Sequence, residues 1–230
     1  MVDVGGNYRG ILDRITAAAK KVRRDPREIR LLAAAKSQSV EAIRAALAAG
    51  VRLVGENYVQ EAADKKRLIS DSVEWHMIGH LQRNKVRAAL DLFDVIESLD
   101  TLALARELDK EGEKRGKTIR VLVEVNLGGE ESKSGVAKEQ TQALMEALSE
   151  LSHISIEGLM TVPPFRENLE AVRPYFRELR ELRDQLGRLS LPNVELKELS
   201  MGMTHDYTVA IEEGATIVRI GTALFGPRSS

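Results

Sequence analysis

Lys36 is the residue whose type and position point most directly to covalent chemistry. It follows the apolar run 31–35, and no acidic residue lies beside it in the sequence. Burial disfavours a charged ammonium group, and the neutral amine that results is a nucleophile toward aldehydes. A lysine that extends from a strand end into solvent would occupy the same position. Taken alone, Lys36 leaves both interpretations open.

Arg219 is a second unusual residue, because it lies inside the β-branched run TIVRIGT at residues 216–222. Side chains alternate between the two faces of a strand, so Val218 and Ile220 share one face and Arg219 lies on the other. Burying a guanidinium costs several kcal/mol unless it is paired. Either a structural ion pair or a ligand atom at the end of the strand would satisfy it.

Two short segments rich in glycine and hydroxyl groups follow the last two predicted strands. Ser200 and Gly202 lie in the first, and Gly221 and Thr222 lie in the second. In α/β barrels the loops after strands seven and eight commonly bind phosphate through backbone N–H groups and hydroxyl groups. Gly and Ser also simply form turns, so each segment is a weak signal by itself.

Together, these residues offer an amine nucleophile, a phosphate site and a cation between them. A phosphorylated aldehyde that carries a heteroaromatic ring would use all three groups. Pyridoxal 5′-phosphate (PLP) is a cofactor of this chemistry. The residues therefore predict PLP as the cofactor.

The elements that would position these residues alternate along the chain between short apolar runs and longer helical patterns. Eight parallel strands connected by helices are typical of a closed barrel, and such barrels run to about 200 to 250 residues as one unit. We therefore predict an α/β fold, a single (β/α)8 TIM barrel over residues 1–230, with an extra N-terminal helix at 8–24. A doubly wound open sheet is the alternative. The predicted strands are 30–35, 52–54, 73–78, 95–97, 118–125, 154–159, 195–199 and 216–220.

Composition excludes several classes of protein. The 230 residues include 34 Lys plus Arg and 35 Asp plus Glu, for a net charge of −1, which argues against binding to nucleic acid. The absence of cysteine rules out disulfides, thiolate metal sites and cysteine nucleophiles. No apolar stretch approaches the ~20 residues of a membrane span, and the first ten residues lack the apolar core of a secretory signal. We expect a cytoplasmic protein that does not bind membranes.

Three other patterns have simpler explanations than the functions they suggest. His76 and His80 have the spacing of two metal ligands on a helix, but they straddle a predicted strand end, so no metal site is expected. His205 and Asp206 near Ser200 suggest a hydrolase, but the G-x-S-x-G turn of such enzymes is absent. Asn57 fits both the N-cap of a helix and a cofactor contact.

Six segments of the chain closely resemble the YggS/PROSC family of PLP-homeostasis or PLP-binding proteins. The resemblance extends from about residue 32 to residue 227, and the motifs occur in the same order. The segments are KS at 36–37, GENYVQE at 55–61, WHMIGHLQ at 75–82, GLMT at 158–161, LSMGM at 199–203 and VRIGTALFG at 218–226.

This resemblance implies a barrel like the N-terminal domain of alanine racemase, with PLP bound to Lys36 as an internal aldimine. It also implies that Arg219 meets the pyridine nitrogen and that Asn57 lies beside the cofactor. The phosphate would be held by Ser200, Gly202, Gly221 and Thr222.

The predicted function is that of a PLP carrier or regulator in vitamin B6 homeostasis and amino-acid balance. A guanidinium only donates hydrogen bonds, so Arg219 would leave the pyridine nitrogen unprotonated and weaken PLP as an electron sink. Racemases with this arrangement use a tyrosine from another domain as a second base, and no tyrosine here lies in such a motif. A weak PLP-dependent racemase and a Schiff-base aldolase acting on a phosphorylated sugar remain alternatives. PLP-dependent apo-enzymes are the expected partners, and a monomer is the expected state.

Overall fold

A computed structural model describes residues 2–69, 72–130 and 134–227. Its centre is a barrel of eight parallel strands, labelled β1 to β8 in chain order. In the described residues, the strands are β1 (Arg30–Ala34), β2 (Leu53–Glu56), β3 (Glu74–Met77), β4 (Val95–Leu99), β5 (Ile119–Asn126), β6 (Ile154–Met160), β7 (Val194–Met203) and β8 (Ile217–Ile220). A two-residue strand, Val136–Ala137, pairs with the end of β5.

The barrel closes because every strand pairs with a parallel neighbour on both sides. Strand β1 pairs with β2 and also with β8, where Leu32 aligns with Arg219. Strand β4 pairs with β5, which joins the two halves of the sheet. The predicted TIM barrel is therefore confirmed, and the open-sheet alternative is wrong.

Nine helices surround the barrel in the part of the chain that the structure describes. They are α1 (Val4–Lys21), α2 (Val40–Ala49), α3 (Val59–Lys66), α4 (Val86–Ala89), α5 (Leu102–Arg115), α6 (Lys138–Ser149), α7 (Arg173–Gly187), α8 (Tyr207–Glu212) and α9 (Thr222–Phe225). None of the described helices combines the length and the apolar character that crossing a membrane requires.

The helix α1 precedes the barrel, as predicted, and packs against α2, α8 and α9. Its buried face consists of Ile11, Ile15, Ala18 and Ala19, which follow helical spacing. The helix after β8, α9, has four residues. Helix α1 therefore covers the part of the barrel wall that a longer eighth helix would cover.

Alternation along the strands divides the core into two layers. One face of the barrel packs against the helices and forms the larger core. The other face points inward, where buried apolar side chains from six strands form a separate cluster: Leu32, Leu53, Val95, Leu122, Met160 and Ile217. Aligned residues of parallel strands share a face, so Arg219 also points into the barrel, beside Leu32.

Two predicted elements differ from the structure. Strand β7 continues to Met203 instead of ending at Leu199, because Thr161 and β8 extend its hydrogen-bonded pairing. The sequence pattern at 82–90 predicts a single helix, whereas the structure has a 3-10 turn, Arg83–Lys85, followed by the four residues of α4. The extension of β7 moves Ser200 and Gly202 from a predicted loop into a strand.

Candidate functional site

A cavity of about 360 Å³ opens at the carboxyl ends of the strands. Its volume falls within the range of small-molecule sites. Five of the seven residues predicted to bind the cofactor line it: Lys36, Asn57, Arg219, Gly221 and Thr222. It is also lined by Ala34, Gln38, Ile78, Val162, Met203, Thr204 and His205.

Lys36 reaches the cavity from the turn that follows β1. Ala35, before it, is fully buried, and Ser37, after it, has a φ of 61°, in the left-handed region. The N–H of Gln38 donates to the Ala35 carbonyl over 3.0 Å and closes the turn. The backbone on both sides of Lys36 therefore has a defined conformation.

Arg219 is a buried cation whose hydrogen bonds come from two neighbouring strands. Its side chain is 4% exposed. One Nη donates to Ser200 Oγ over 2.7 Å, and the other donates to the Thr161 carbonyl over 2.7 Å. Burial lowers the pKa of Arg219, while the negative charges of Glu97 and Glu124 oppose that shift. The guanidinium stays a fixed donor at the cavity wall.

A chain of buried polar groups leads from Arg219 toward the other end of the barrel. Ser200 Oγ donates to Glu97 Oε2 over 2.5 Å, and Glu97 Oε1 lies 2.5 Å from His76 Nδ1. His76 Nε2 lies 3.4 Å from a carboxylate oxygen of Glu74, an ion-pair separation, and makes no hydrogen bond to the described part of the chain. Burial lowers the pKa of His76, but the two carboxylates outweigh burial and raise it to about 9.

Burial, together with the negative charge of Asp100, raises the pKa of Glu124 to about 7. Arg219 counteracts this shift. Arg219 therefore faces acidic groups on β4 and β5, and its positive charge is compensated inside the barrel.

Ser200 and Gly202 lie outside the cavity lining. The Ser200 hydroxyl is fully buried between Arg219 and Glu97. Gly202 has a φ of 91°, and a Cβ placed there would lie 2.5 Å from the Ala210 Cβ and 2.9 Å from the Tyr207 Cα. Close packing of α8 against β7 thus accounts for this glycine.

Thr204 is a cavity residue outside the seven residues predicted to bind the cofactor. Helix α8 begins after Asp206, and Thr204 Oγ1 accepts from the N–H of Ala223 over 3.2 Å. Thr204 thereby joins the loop after β7 to the start of α9, beside Gly221 and Thr222. Its position directly after the LSMGM segment is the sequence feature that could have indicated Thr204 as a cavity residue.

Asn57 lies in the loop between β2 and α3. Tyr58 occupies the N-cap position of α3 and makes no side-chain capping bond, so the interpretation of Asn57 as the cap is wrong. A Cβ on Gly79 would lie 2.5 Å from the Asn57 carbonyl oxygen. The backbone of Gly79 therefore approaches Asn57 closely and helps to fix it at the cavity.

The two histidines that could suggest a metal site lie in different environments. His76 is buried inside the barrel, whereas His80 is 56% exposed and faces Asp100. His205 lines the cavity, its ring is 5.3 Å from that of Phe165, and its Nε2 lies 3.3 Å from the Glu167 carbonyl. The described residues hold no cluster of three groups suited to a metal ion.

The groups around the cavity match a phosphorylated aldehyde with a ring nitrogen. Lys36 supplies an amine, and Arg219 supplies a buried donor that cannot lose its charge readily. Thr204 and Thr222 supply hydroxyl groups that can donate to phosphate oxygens. The side chains therefore fit this class of ligand.

Comparison with protein families gives a match over residues 11–229 to the alanine racemase N-terminal domain. The chain is 49% identical over 219 residues to a pyridoxal phosphate homeostasis protein of Aquifex aeolicus, and the match covers 95% of each chain.

Solved structures give a concordant result. A structure of PipY from Synechococcus elongatus with PLP bound is 36% identical, with a TM-score of 0.82, and the match covers 92% of this chain and 100% of that one. An alanine racemase of Clostridium difficile is 14% identical, with a TM-score of 0.77, and the match covers 98% of this chain and 58% of that one. The racemase shares the barrel fold.

Proposed function

The chain belongs to the family of pyridoxal phosphate homeostasis proteins with the alanine racemase N-terminal fold, and we propose that it binds PLP on Lys36. It acts as a carrier or regulator in intracellular PLP homeostasis and amino-acid balance. The observation that carries this proposal is that Lys36, Arg219 and Thr222 line a single cavity. The PLP bound to PipY supports the same assignment.

Lys36 holds the cofactor covalently in this proposal. Its amine would supply the nucleophile that reacts with the aldehyde of the cofactor. Apolar side chains of Ala34, Ile78 and Val162 share the cavity wall with it.

In this proposal, the loops after β7 and β8 bind the phosphate group. Thr204 and Thr222 offer hydroxyl groups, and Gly221, the N-cap of α9, lies beside Thr222 in the cavity wall. Ser200 and Gly202 contribute indirectly, Ser200 by supporting Arg219 and Gly202 by allowing α8 to approach β7.

We propose that Arg219, which lines the cavity, donates to the pyridine nitrogen. PLP supplies an electron sink when that nitrogen is protonated, and a fixed donor such as Arg219 keeps the nitrogen unprotonated. None of the four tyrosines, Tyr8, Tyr58, Tyr175 and Tyr207, lines the cavity. These features favour binding and release of the cofactor over turnover of an amino acid.

PLP-dependent apo-enzymes are the proposed recipients, and the carrier acts as a cytoplasmic monomer. The whole chain, residues 1–230, serves as one PLP-binding domain. The opening of the cavity at the end of the barrel supports transfer, because the cofactor can leave without passage through the core. Incubation of the loaded protein with an apo-enzyme should restore the activity of that enzyme faster than an equal concentration of free PLP in the presence of a PLP scavenger.

Absorption spectroscopy of the purified protein with added PLP tests the covalent site. The wild-type protein should develop the absorption band of a C=N bond, and borohydride should fix the cofactor on the peptide that contains Lys36. Lys36→Ala should lack this band. Lys20→Ala is the matched control, because Lys20 is an exposed residue of α1 that does not line the cavity.

A wild-type protein without the band, or a Lys36→Ala variant that keeps it, would contradict the proposal. In that case a phosphorylated sugar becomes the preferred ligand, because a sugar bound to Lys36 would leave the protein colourless.

A weak racemase is the second candidate, and His205 is the observation that favours it. The His205 imidazole lines the cavity, where a general base would need to lie. Racemisation of alanine by the loaded protein, abolished in His205→Gln with cofactor binding retained, would support this activity. No measurable racemisation in the wild type would exclude it.

A further inference from the structure

An ion-pair cluster on the outer side of β2 holds the backbone next to Lys36. Lys65 of α3 donates to the Ala35 carbonyl over 2.7 Å, to Glu56 Oε1 over 2.6 Å and to Glu61 Oε1 over 2.7 Å. Glu56 aligns with Met77, a member of the outer core, so it points away from the barrel interior. The cluster therefore lies on the outer face of the barrel, next to the strand ends that form the cavity.

These contacts use every hydrogen-bond donor of the Lys65 ammonium group. An ammonium group has three N–H donors, and each has an acceptor here. Lys65 is 7% exposed and Glu56 is fully buried. Burying charged groups is costly unless they are paired and hydrogen-bonded. Such a pair therefore has little freedom to adopt another geometry.

Glu61 extends the cluster to the other side of Lys36. The same Oε1 atom that meets Lys65 accepts from the N–H of Ser37 over 2.6 Å. Ser37 has a φ of 61°, a conformation that residues other than glycine seldom adopt without support from their surroundings. Lys65 and Glu61 thus bind the residues immediately before and after Lys36.

The cluster has little chemistry of its own to perform. Glu56 Oε2 is buried and has no hydrogen-bond partner in the described part of the chain. Lys65 meets the backbone of β1 at Ala35, whose side chain lies in the outer core. Lys65 and Glu61 both contact the turn that carries the cavity lysine.

We propose that Lys65 and Glu61 are positioning residues that fix the turn at 35–37 and present the Lys36 amine to the cavity. This inference rests on the proposed covalent attachment of PLP. In that step the amine nitrogen forms a bond to the aldehyde carbon, and the carbonyl oxygen leaves as water with the two amine protons. A reaction of this kind is sensitive to displacements of about 1 Å, which cost up to about a hundredfold in rate.

Two ligands separate positioning from binding. PLP reports on the covalent step through the absorption band of the C=N bond. Pyridoxine 5′-phosphate has a hydroxymethyl group in place of the aldehyde, so it binds without forming a bond to Lys36. A defect in positioning should slow the reaction with PLP and leave the affinity for pyridoxine 5′-phosphate unchanged.

The variants are Glu61→Gln and Lys65→Met, with Asp64→Asn as the control. Asp64 is on the same helix and is exposed, so its substitution removes one charge without touching the turn. Glu61→Gln should attach PLP about tenfold more slowly or worse, with the dissociation constant for pyridoxine 5′-phosphate within about twofold of wild type. Asp64→Asn should behave as wild type in both measurements.

A rescue experiment addresses the strained residue. Glycine adopts positive φ angles without a steric penalty. Adding Ser37→Gly to Glu61→Gln should therefore recover part of the lost rate, whereas Ser37→Gly alone should change the rate little. General loss of packing would not be repaired by this change.

The outcomes distinguish this inference from the proposed function. If the wild type forms no bond with PLP, the proposed function fails, and the positioning role with it. If the wild type attaches PLP and Glu61→Gln attaches it equally fast, or loses affinity for both ligands together, only the positioning role is overturned. If Lys65→Met does not fold, Glu61→Gln, which keeps the size of the side chain, decides the question.

Discussion

The guanidinium of Arg219 depends on residues from three other strands and on the residue that follows a fourth. It donates to Ser200 on β7 and to the carbonyl of Thr161, which follows β6. Ser200 in turn meets Glu97 on β4, and Glu97 meets His76 on β3. Buried polar groups are stabilising only when their partners are in place. The orientation of Arg219 toward the cavity is therefore set by groups deep in the barrel.

His76 makes stability depend on pH. Its pKa is raised from 6.5 to about 9 in the folded protein. A group whose pKa rises on folding stabilises the folded state fully below its unfolded pKa, and that contribution is lost as pH rises through the folded pKa. The free energy of unfolding should therefore fall by roughly 3 kcal/mol between about pH 6.5 and pH 9 through this residue.

Urea unfolding of His76→Gln at several pH values checks this expectation. The decline assigned to His76 should be missing from the variant, so the difference in unfolding free energy between wild type and variant should shrink as pH rises. His80→Gln is the control, because His80 is exposed at the surface. Parallel pH profiles for wild type and His76→Gln would refute this role of His76.

Individual site residues could be predicted from sequence when their chemistry conflicts with their surroundings. Arg219 stands out because a charge interrupts a β-branched strand, and Lys36 stands out because it ends an apolar one. The hydrogen bonds that link Arg219 through Ser200 to Glu97 could not be predicted, because Glu97 and Ser200 are 103 residues apart in the chain. Lys65 and Glu61 look like ordinary charges of an amphipathic helix until the barrel brings them against the turn at 35–37.

At the scale of elements, the packing of α8 against β7 depends on Gly202. An alanine there would combine a strained backbone angle with contacts of 2.5 Å and 2.9 Å to α8. We expect Gly202→Ala to lower the free energy of unfolding by about 2 to 4 kcal/mol, because strain and overpacking both contribute. Cofactor affinity should fall as well, since the adjacent Met203 and Thr204 line the cavity.

Gly116→Ala is a matched control for this prediction. Gly116 has a φ of 58°, and a Cβ placed there meets no atom within 4 Å. It should cost about 1 kcal/mol, the backbone contribution alone. Chemical denaturation of both variants gives the comparison, and equal losses would remove the steric argument for Gly202.

Element types could be predicted more accurately than element ends. Short apolar runs indicated all eight strands, and helical spacing indicated α1. The end of β7 was wrong because residues 200–203, rich in small and flexible types, look like a turn. Pairing with both neighbours extends the strand through them. Tertiary hydrogen bonding thus overrides local preference at the site itself.

At the scale of the whole molecule, α1 completes the outer layer of the barrel. Ile11 is 1% exposed, whereas Leu12, the next residue, is 37% exposed. We expect Ile11→Ala to lower the free energy of unfolding by about 2 to 5 kcal/mol, because it leaves a cavity between α1 and the barrel. Leu12→Ala should cost well under half as much.

Thermal unfolding of the two variants tests this assignment. A similar loss for Ile11→Ala and Leu12→Ala would mean that α1 adds little to the packed core. Both variants should bind PLP as the wild type does, since α1 contributes no residue to the cavity.

The contact between His76 and Glu97 also gives the molecule a natural spectroscopic probe. The pair is sealed in the barrel, and Nδ1 lies 2.5 Å from the carboxylate oxygen. A proton held in so short a hydrogen bond resonates far downfield in nuclear magnetic resonance, away from the amide signals. Because water reaches it only when strands separate, its exchange rate would report how often the barrel opens, in the presence and absence of cofactor.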